Sequence, residues 1–212
     1  MFYLRPMSAT LLLVLVTVAA SLIAFSSEKW MNRLLLWPAV MTRPVQLYRL
    51  LTAGFVHADY MHLAFNMLTL YFFGDSLERA FREILPGSYA TPAFVLLYLT
   101  GIIVSCIPST LKQKKNPHYR SLGASGGVAA IVFAMIYLSP WSRIYLFFAL
   151  GMPSILFAIL YLGYTAYMAR TGRGIVNHDA HLWGSLYGLV FMLLIDPSHG
   201  AWFLQALLHP VF

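Results

Sequence analysis

The chain contains six stretches that are free of Asp, Glu, Lys and Arg, and most of them are long enough to cross a membrane. Their limits are 6–27, 60–74, 84–111, 121–142, 144–169 and 180–195. A helix needs about 20 apolar residues to span the hydrocarbon core of a bilayer, and four of the six stretches exceed that length. Charged residues make up only 10% of the chain, whereas soluble domains carry about 25%. The pattern predicts an all-α, polytopic membrane protein.

We predict a single membrane domain over 1–212 with six spans joined by short connections. The predicted spans are about 8–26, 52–74, 91–109, 122–139, 144–169 and 179–196. The first connection, 27–50, mixes aromatic and basic residues and is interrupted by Pro38 and Pro44. Proline breaks a helix, and aromatic and basic residues favour the membrane interface. We therefore expect this connection to lie at the interface rather than to cross the bilayer.

The segments beside the spans are expected to be helical or interfacial. The charged segment 75–92 should continue the second helix through Leu77, Glu78 and Phe81, and the tail 197–212 is too short to cross again. The apolar run Thr10–Phe25 partly imitates a signal peptide, but it is long for a cleaved segment. We expect it to be retained as the first span.

Charge and cysteine content exclude several classes of site. The net charge of +7 could indicate nucleic acid, but the Lys and Arg residues lie in connections between apolar spans. Contact with the membrane surface is the better interpretation, and no nucleic-acid partner is expected. The single cysteine, Cys106, permits neither a disulfide within the chain nor a cysteine-based metal site. We expect no cofactor and no metal.

Four polar residues lie inside the apolar spans, near the start of every second span. His62 and Asn66 occur early in span two, Ser125 early in span four, and His181 at the start of span six. Such groups are costly to bury in hydrocarbon and usually serve a function. Since the even-numbered spans of a six-span bundle cross in the same direction, their first residues lie at the same membrane face. Parity alone therefore brings all four residues to a similar depth near one membrane face.

Ser125 and His181 are suited to act as a nucleophile and its general base. His181, Gly184 and Gly188 share one face of a helix, and small residues let membrane helices approach closely. That face could bring the imidazole to the Ser125 hydroxyl, within the 2.6–3.2 Å or so that proton sharing requires. Asp179 lies two residues before His181 and would point to another face. The arrangement therefore indicates a dyad without a third member.

His62 and Asn66 are candidates for stabilising an oxyanion. They are four residues apart and share a helix face, where they could act with the backbone N–H of Ser125. Taken alone, a serine in a helix of small residues more often packs or bonds to its own backbone. Clustered histidines could also bind zinc, but the chain has no H-E-x-x-H motif. His57 and His178 flank the site, and we assign neither a catalytic role, although His178 could cap the sixth helix.

These residues occur in motifs that resemble those of the rhomboid family of intramembrane serine proteases, over most of the chain. The fourth span begins with G-x-S-G at 123–126, the sixth carries A-H-x-x-G-x-x-x-G at 180–188, and the second carries H-x-x-x-N at 62–66. An aromatic–Arg pair (48–49) and a G-x-x-x-E (74–78) also fit. Each motif alone is weak, but all of them in order in the correct spans make a specific match.

The resemblance implies a rhomboid-like bundle whose serine–histidine dyad cleaves transmembrane segments of membrane-protein substrates near the membrane boundary. By this resemblance Ser125 is the nucleophile, His181 the general base and then acid, and His62 and Asn66 line the oxyanion hole. Some members have an aromatic residue one turn after the serine, packed on the catalytic histidine. Here that position is Ala129, so other residues must orient His181.

Two other functions stay open on the sequence alone. A non-catalytic rhomboid-like protein could bind and retain membrane clients, although such proteins lose the serine or the histidine and both are present here. A small transporter or channel could use the polar spans as a pathway. It would show no loss of function specific to Ser125→Ala.

Two arguments disagree about orientation. The first, third and fifth connections share the active-site face and hold ten of the fourteen Lys and Arg residues. These residues are Lys29, Arg33, Arg43, Arg49, Lys112, Lys114, Lys115, Arg120, Arg170 and Arg173. The positive-inside rule would put that face in the cytoplasm, whereas the resemblance implies the opposite. We follow the resemblance and expect a multi-pass protein of a bacterial inner membrane with both termini in the cytoplasm.

Overall fold

The computed structural model describes residues 7–146, 149–172 and 176–209, which are mainly helical. The helices are α1 (Ala9–Phe25), α2 (Glu28–Leu34), α3 (Arg49–Thr52), α4 (Tyr60–Ile84), α5 (Ala90–Gln113), α6 (Ser125–Leu138), α7 (Ser154–Thr171), α8 (His178–Ile195) and α9 (Pro197–Leu208). One antiparallel hairpin pairs β1 (Arg143–Leu146) with β2 (Leu150–Pro153). The all-α prediction is confirmed, with this hairpin as an addition. The predicted domain limits at 1 and 212, and Arg173 of the charge argument, lie outside the described residues.

Four of the predicted spans agree closely with helices of the structure. These are α1, α5, α6 and α8, whose ends differ from the predicted limits by at most four residues. Judged by length and composition, one segment within the described ranges, Gly87–Gln113, is long and apolar enough to cross a membrane, with a mean hydropathy of 2.0. The apolar helices α1 and α6 are shorter.

The second predicted span, 52–74, is wrong at its start, which lies eight residues before the first residue of α4. The chain first makes a short 3-10 turn at Ala53–Phe55, and α4 begins only at Tyr60. The Asp59 carboxylate accepts a hydrogen bond from the backbone N–H of His62 at 2.8 Å, so the charge that interrupts the apolar stretch is the cap of the helix. At its other end α4 continues to Ile84, which confirms the predicted helical extension of the second span.

The fifth predicted span, 144–169, is wrong at its start, because residues 144–146 and 150–153 belong to the strands of the β-hairpin. Pro153 holds an extended conformation before the helix (φ −56°, ψ 136°), and proline inside a helix would break it. The first N–H groups of α7 are accepted by the preceding turn, Ser154 N–H by Ser142 O and Ile155 N–H by Pro140 O, each at 2.8 Å. Helix α7 therefore starts ten residues later than its apolar character predicts.

Two buried charged residues fix the segments around the bundle. The Glu78 carboxylate, on α4, accepts hydrogen bonds from the backbone N–H groups of Ala9 and Thr10, at 3.2 and 3.1 Å, and so caps α1. The Arg49 guanidinium donates to the carbonyls of Asn32 and Leu35 at 2.9 and 2.8 Å. Arg49 therefore organises the first connection from within.

Helix α6 is the centre of the bundle. Every residue from Gly126 to Ala134 is buried, and α4, α5, α7 and α8 pack around it. At 14 residues it is only about 21 Å long. Because α6 begins at Ser125, the candidate nucleophile lies where the central helix starts.

Candidate active site

A cavity of about 700 Å³ lies at the N-terminal ends of α4, α6 and α8. His62, Asn66, Ser125 and His181 all line it. The connections at this end contact each other: Leu36 and Ser121 exchange backbone hydrogen bonds of 2.9 and 3.1 Å. The structure thus brings the four predicted residues to one cavity at one end of the bundle, as span parity predicted.

The turn before Ser125 depends on Gly123 and on the ring of His62. Gly123 has φ +118°, a conformation that residues with a Cβ rarely adopt. A Cβ at this position would lie 2.6 Å from Cε1 of the His62 ring. Ser125 then begins α6, and the N–H groups of a first helical turn have no partner within the helix. The turn therefore places the serine beside both His62 and backbone donors that have no partner within α6.

His57 holds the backbone next to Ser125. Its ring is completely buried, and its Nε2 accepts a hydrogen bond from the Ala124 N–H at 3.3 Å. Nδ1 therefore carries the proton and donates to the Ser21 hydroxyl at 3.0 Å, and Ser21 in turn donates to the Phe55 carbonyl at 3.1 Å. The His57 ring also meets His62 edge to face, with centroids 5.0 Å apart. His57, to which we assign no catalytic role, thus links α1 to the residue preceding Ser125.

Helices α6 and α8 touch through their backbones. A Cβ at Gly184 would overlap the carbonyl oxygen of Gly126, and a Cβ at Gly188 would overlap that of Ala130. A Cβ at Gly126 would overlap the Ser105 hydroxyl on α5. The predicted close approach of the two helices is confirmed. We call this contact the glycine seam, formed by Gly126, Gly184 and Gly188.

The His181 ring is held by aromatic neighbours. Tyr161 on α7 lies nearly parallel to it, with centroids 6.1 Å apart and 15° between the planes. The ring of His178 meets it edge to face at 6.0 Å. Within the described part of the chain, the imidazole of His181 makes no hydrogen bond to Ser125 or to a carboxylate. Asp179 instead pairs with Lys112 at 2.5 Å, consistent with the prediction that it points away from the site.

Asn177 connects three segments at the start of α8. Its Oδ1 accepts hydrogen bonds from the Ala180 N–H at 3.2 Å and from the Ser109 hydroxyl at 2.8 Å. Its Nδ2 donates to the Ser121 hydroxyl at 2.9 Å. Asn177 is therefore the cap of α8, and the alternative that His178 caps the helix is wrong. The same side chain ties α8 to α5 and to the turn that leads to Ser125.

The two predicted oxyanion residues differ in their surroundings. Asn66 is buried, and its Nδ2 donates to the carbonyl of His62 at 2.9 Å. An amide carries two N–H groups, and the second N–H makes no hydrogen bond to any described residue. His62 is half-buried, with its ring between His57 and Gly123 at the cavity wall. Both side chains have the chemistry to donate into the cavity next to Ser125.

Sequence reasoning missed the contributions of Tyr161, His57 and Asn177. Nothing in the sequence distinguishes Tyr161 from Tyr164 and Tyr167, its neighbouring tyrosines in the fifth predicted span. The position of Asn177 directly before a helix start is a common capping signal. Among the described residues, no group of three or more His, Cys, Asp and Glu side chains could hold a metal ion.

Comparison with known proteins agrees with this architecture. Residues 44–197 match the Rhomboid domain family. The chain is 31% identical over 147 residues to the mitochondrial RHOMBOID-like protein 12 of Arabidopsis thaliana, covering 66% of the chain and 44% of that protein. It is 33% identical to the mitochondrial RHOMBOID-like protein 6 of the same plant, over 72% of the chain and 46% of that protein.

A bacterial relative carries the name of a protease. The Rhomboid protease GluP of Bacillus subtilis is 28% identical over 141 residues, which cover 66% of the chain and 24% of that protein. The chain thus spans less than half the length of each of these three relatives. Because the family match extends over more than half of the chain, the protein belongs to the membrane-embedded rhomboid family.

Proposed function

We propose that the protein is an intramembrane serine endopeptidase that cleaves transmembrane segments of membrane proteins near the membrane boundary. The observation that carries the proposal is that Ser125, His181, His62 and Asn66, from three different helices, line one cavity. The glycine seam supports it further, because direct backbone contact between α6 and α8 fixes the distance between the helices that bear Ser125 and His181.

The reaction follows from acyl-transfer chemistry. Ser125 Oγ attacks the carbonyl carbon of the scissile peptide bond while His181 accepts the hydroxyl proton. The tetrahedral intermediate collapses, the C–N bond breaks, and His181 gives the proton to the leaving amine. Water then hydrolyses the acyl-enzyme with His181 again as the base. Catalytic hydrogen bonds commonly tighten only when substrate binds, so we expect the Ser125–His181 bond to form in the substrate complex.

The negative charge of the intermediate needs hydrogen-bond donors. His62, the free N–H of the Asn66 amide and the backbone N–H of Ser125 are the groups available beside the nucleophile. Loss of one such donor in other enzymes costs roughly 3–4 kcal/mol of transition-state stabilisation. His62 and Asn66 should therefore contribute to catalysis, in addition to the dyad.

The expected substrate is a transmembrane helix with a weak point. A hydrogen-bonded helix shields its own carbonyls within the membrane, so a segment must open before Ser125 can reach a peptide bond. Small and helix-breaking residues near the cleavage site would ease that opening. We therefore propose substrates whose transmembrane segment carries such residues close to the membrane boundary.

We further propose that the active-site end faces away from the compartment that holds both termini, the cytoplasm in a bacterial membrane. Several basic residues at this end are engaged within the protein: Arg49 is buried against backbone carbonyls, Lys112 pairs with Asp179, and Arg120 lies over the Trp37 ring. Such residues count less than free flanking charges toward orientation. The named relatives include mitochondrial and chloroplastic plant proteins besides a bacterial one, so they do not favour the predicted bacterial inner membrane. A reporter fused after Phe212 should be active only in the cytoplasm, and activity outside it would contradict this orientation.

A cleavage assay with purified protein tests the catalytic proposal. Wild type, Ser125→Ala and His181→Ala are reconstituted with a synthetic transmembrane peptide that contains Gly and Pro near one end. We expect cleavage by wild type alone. Equal cleavage by wild type and Ser125→Ala would contradict the proposal that the protein is a serine protease with Ser125 as its nucleophile. Stable binding of intact peptide by all three proteins, without cleavage, would favour the non-catalytic client-binding alternative.

A further inference from the structure

The catalytic base lacks a partner from the helix that carries the nucleophile. Ala129 lies one turn after Ser125 on α6, is buried, and lines the same cavity. Its methyl group is too small to cover the face of an imidazole. No hydrogen bond of the His181 ring is present among the described residues, so packing is the interaction left to orient it.

Tyr161 supplies that packing from another helix. Its ring lies almost parallel to the His181 ring, 15° between planes and 6.1 Å between centroids. Offset-stacked aromatic pairs are favourable at centroid separations of about 4.5–7 Å. Tyr161 also lines the cavity, so its ring lies between the body of α7 and the base.

The Tyr161 ring is itself fixed on both sides. It stacks on Phe157 of α7 with centroids 5.3 Å apart and 25° between planes. It also contacts Phe133 of α6 at 5.9 Å. A ring held by two further rings has few alternative rotamers. The fixed Tyr161 ring therefore restricts the orientation of the His181 ring stacked on it. The three rings form a continuous aromatic column from the core to the base.

We propose that Tyr161 is a positioning residue for His181. Its ring, from α7, packs on the imidazole, which the methyl group of Ala129 on α6 is too small to cover. The inference rests on the proposed function. It makes the alignment of the base depend on α7, whereas the backbone positions of Ser125 and His181 depend on the glycine seam. The ring is the essential part, because the structure gives the Tyr161 hydroxyl no hydrogen bond among the described residues.

The test compares the ring, its loss and a matched position on the same helix. Tyr161→Phe keeps the ring, Tyr161→Leu removes it, and Tyr167→Leu removes an exposed tyrosine six residues further along α7 (61% exposed). Two quantities are measured: the rate at which a small fluorophosphonate probe labels the protein, and kcat and KM for peptide cleavage. The probe reports activation of the serine without requiring a transmembrane substrate to enter.

We expect Tyr161→Phe and Tyr167→Leu to behave like wild type in both measurements. Tyr161→Leu should lower the labelling rate and kcat by about 10- to 100-fold with little change in KM, the size of effect that a misplaced catalytic group produces. A change in KM alone would indicate a role in substrate binding and overturn the inference. If Tyr161→Leu unfolds below the assay temperature, Tyr161→Met provides the same comparison without a ring.

The remaining outcomes separate this inference from the proposed function. Wild-type labelling by Tyr161→Leu, or equal impairment of Tyr161→Phe and Tyr161→Leu, overturns the positioning role while leaving the protease intact. Labelling of Ser125→Ala at the wild-type rate defeats the protease proposal itself.

Discussion

The two helices that flank α6 at the candidate site are packed against it in different ways. Helix α8 contacts α6 backbone to backbone through the glycine seam, where a single added methyl group has no space. Helix α7 contacts α6 through large rings, among them Phe133 and Tyr161. A Cβ added at Gly163 of α7 would meet no described residue within 4 Å beyond the helix's own backbone. Backbone contacts therefore hold α8 against α6, whereas side-chain contacts hold α7 against it.

This difference separates two requirements of a dyad. The distance between the helices that carry Ser125 and His181 must be fixed, and close-packed backbones deform little. The orientation of the imidazole can instead be set by rings that repack locally. We therefore expect substitutions in the glycine seam to affect stability and activity together, and substitutions in the aromatic contacts of α7 to affect activity more than stability.

The largest effect is expected from Gly188→Val. Its side chain would overlap the Ala130 carbonyl, so α6 and α8 must separate. Overpacking in a well-packed core typically costs about 1–3 kcal/mol, and we expect the upper end of that range together with loss of peptide cleavage. Thermal unfolding in detergent measures the change in stability. Gly163→Val, on α7, is the control and should leave both properties near wild type. Equal effects of the two substitutions would contradict the difference between the tight packing of α8 on α6 and the looser packing of α7.

A smaller effect is expected from Gly126→Ala, where the obstacle is a side chain. The added methyl group would overlap the Ser105 hydroxyl on α5, and we expect a loss of about 2 kcal/mol. Ser105→Gly removes the obstacle. A double-mutant cycle should therefore give a favourable coupling of about 1–2 kcal/mol between the two changes. Strictly additive free energies would mean that the contact between α5 and α6 is not tight in solution.

Asn177→Ala is expected to cost about 1 kcal/mol, the usual value for loss of a helix N-cap. The same change breaks the bonds to Ser109 and Ser121. Asn177→Asp keeps the acceptor for the Ala180 N–H but cannot donate to Ser121, so its stability should fall between wild type and Asn177→Ala. The comparison uses unfolding midpoints of the three proteins. A variant Asn177→Asp no more stable than Asn177→Ala would assign the effect to Ser121 instead of the cap.

The smallest effect on stability is expected from Phe157→Leu. Phe157 is half-buried and stacks on Tyr161, and hydrophobic replacements of similar volume usually cost less than about 1.5 kcal/mol. Cleavage should fall more than this small change in stability explains, because the aromatic column loses a ring. Unchanged cleavage together with a large loss of stability would contradict the expectation that the aromatic contacts of α7 affect activity more than stability.

The location of the site could be predicted from the sequence because it depends only on the direction in which each span crosses and on the spacing of small residues. Span parity brought His62, Ser125 and His181 to the same end, and the spacing of Gly184 and Gly188 predicted the seam. The start of α4 and the hairpin before α7 were not predicted, since uncharged residues fill a turn or a strand as readily as a span. Asp59 and Pro153 were the local signals, a helix cap and a helix breaker.

The orientation of the His181 ring could not be predicted from the sequence. Three tyrosines of α7, at 161, 164 and 167, are spaced three residues apart, and hydropathy does not say which one faces the histidine. The link from Ser21 through His57 to Ala124 joins residues far apart in the chain, and no local pattern encodes it. Such contacts arise only when the helices are packed.

Mapping the site of fluorophosphonate attachment by mass spectrometry tests the central claim most directly. The account predicts one phosphonylated residue, Ser125, with attachment lost in His181→Ala while the protein remains folded. Attachment at another serine, or attachment to Ser125 at the same rate in His181→Ala, would contradict a Ser125–His181 dyad.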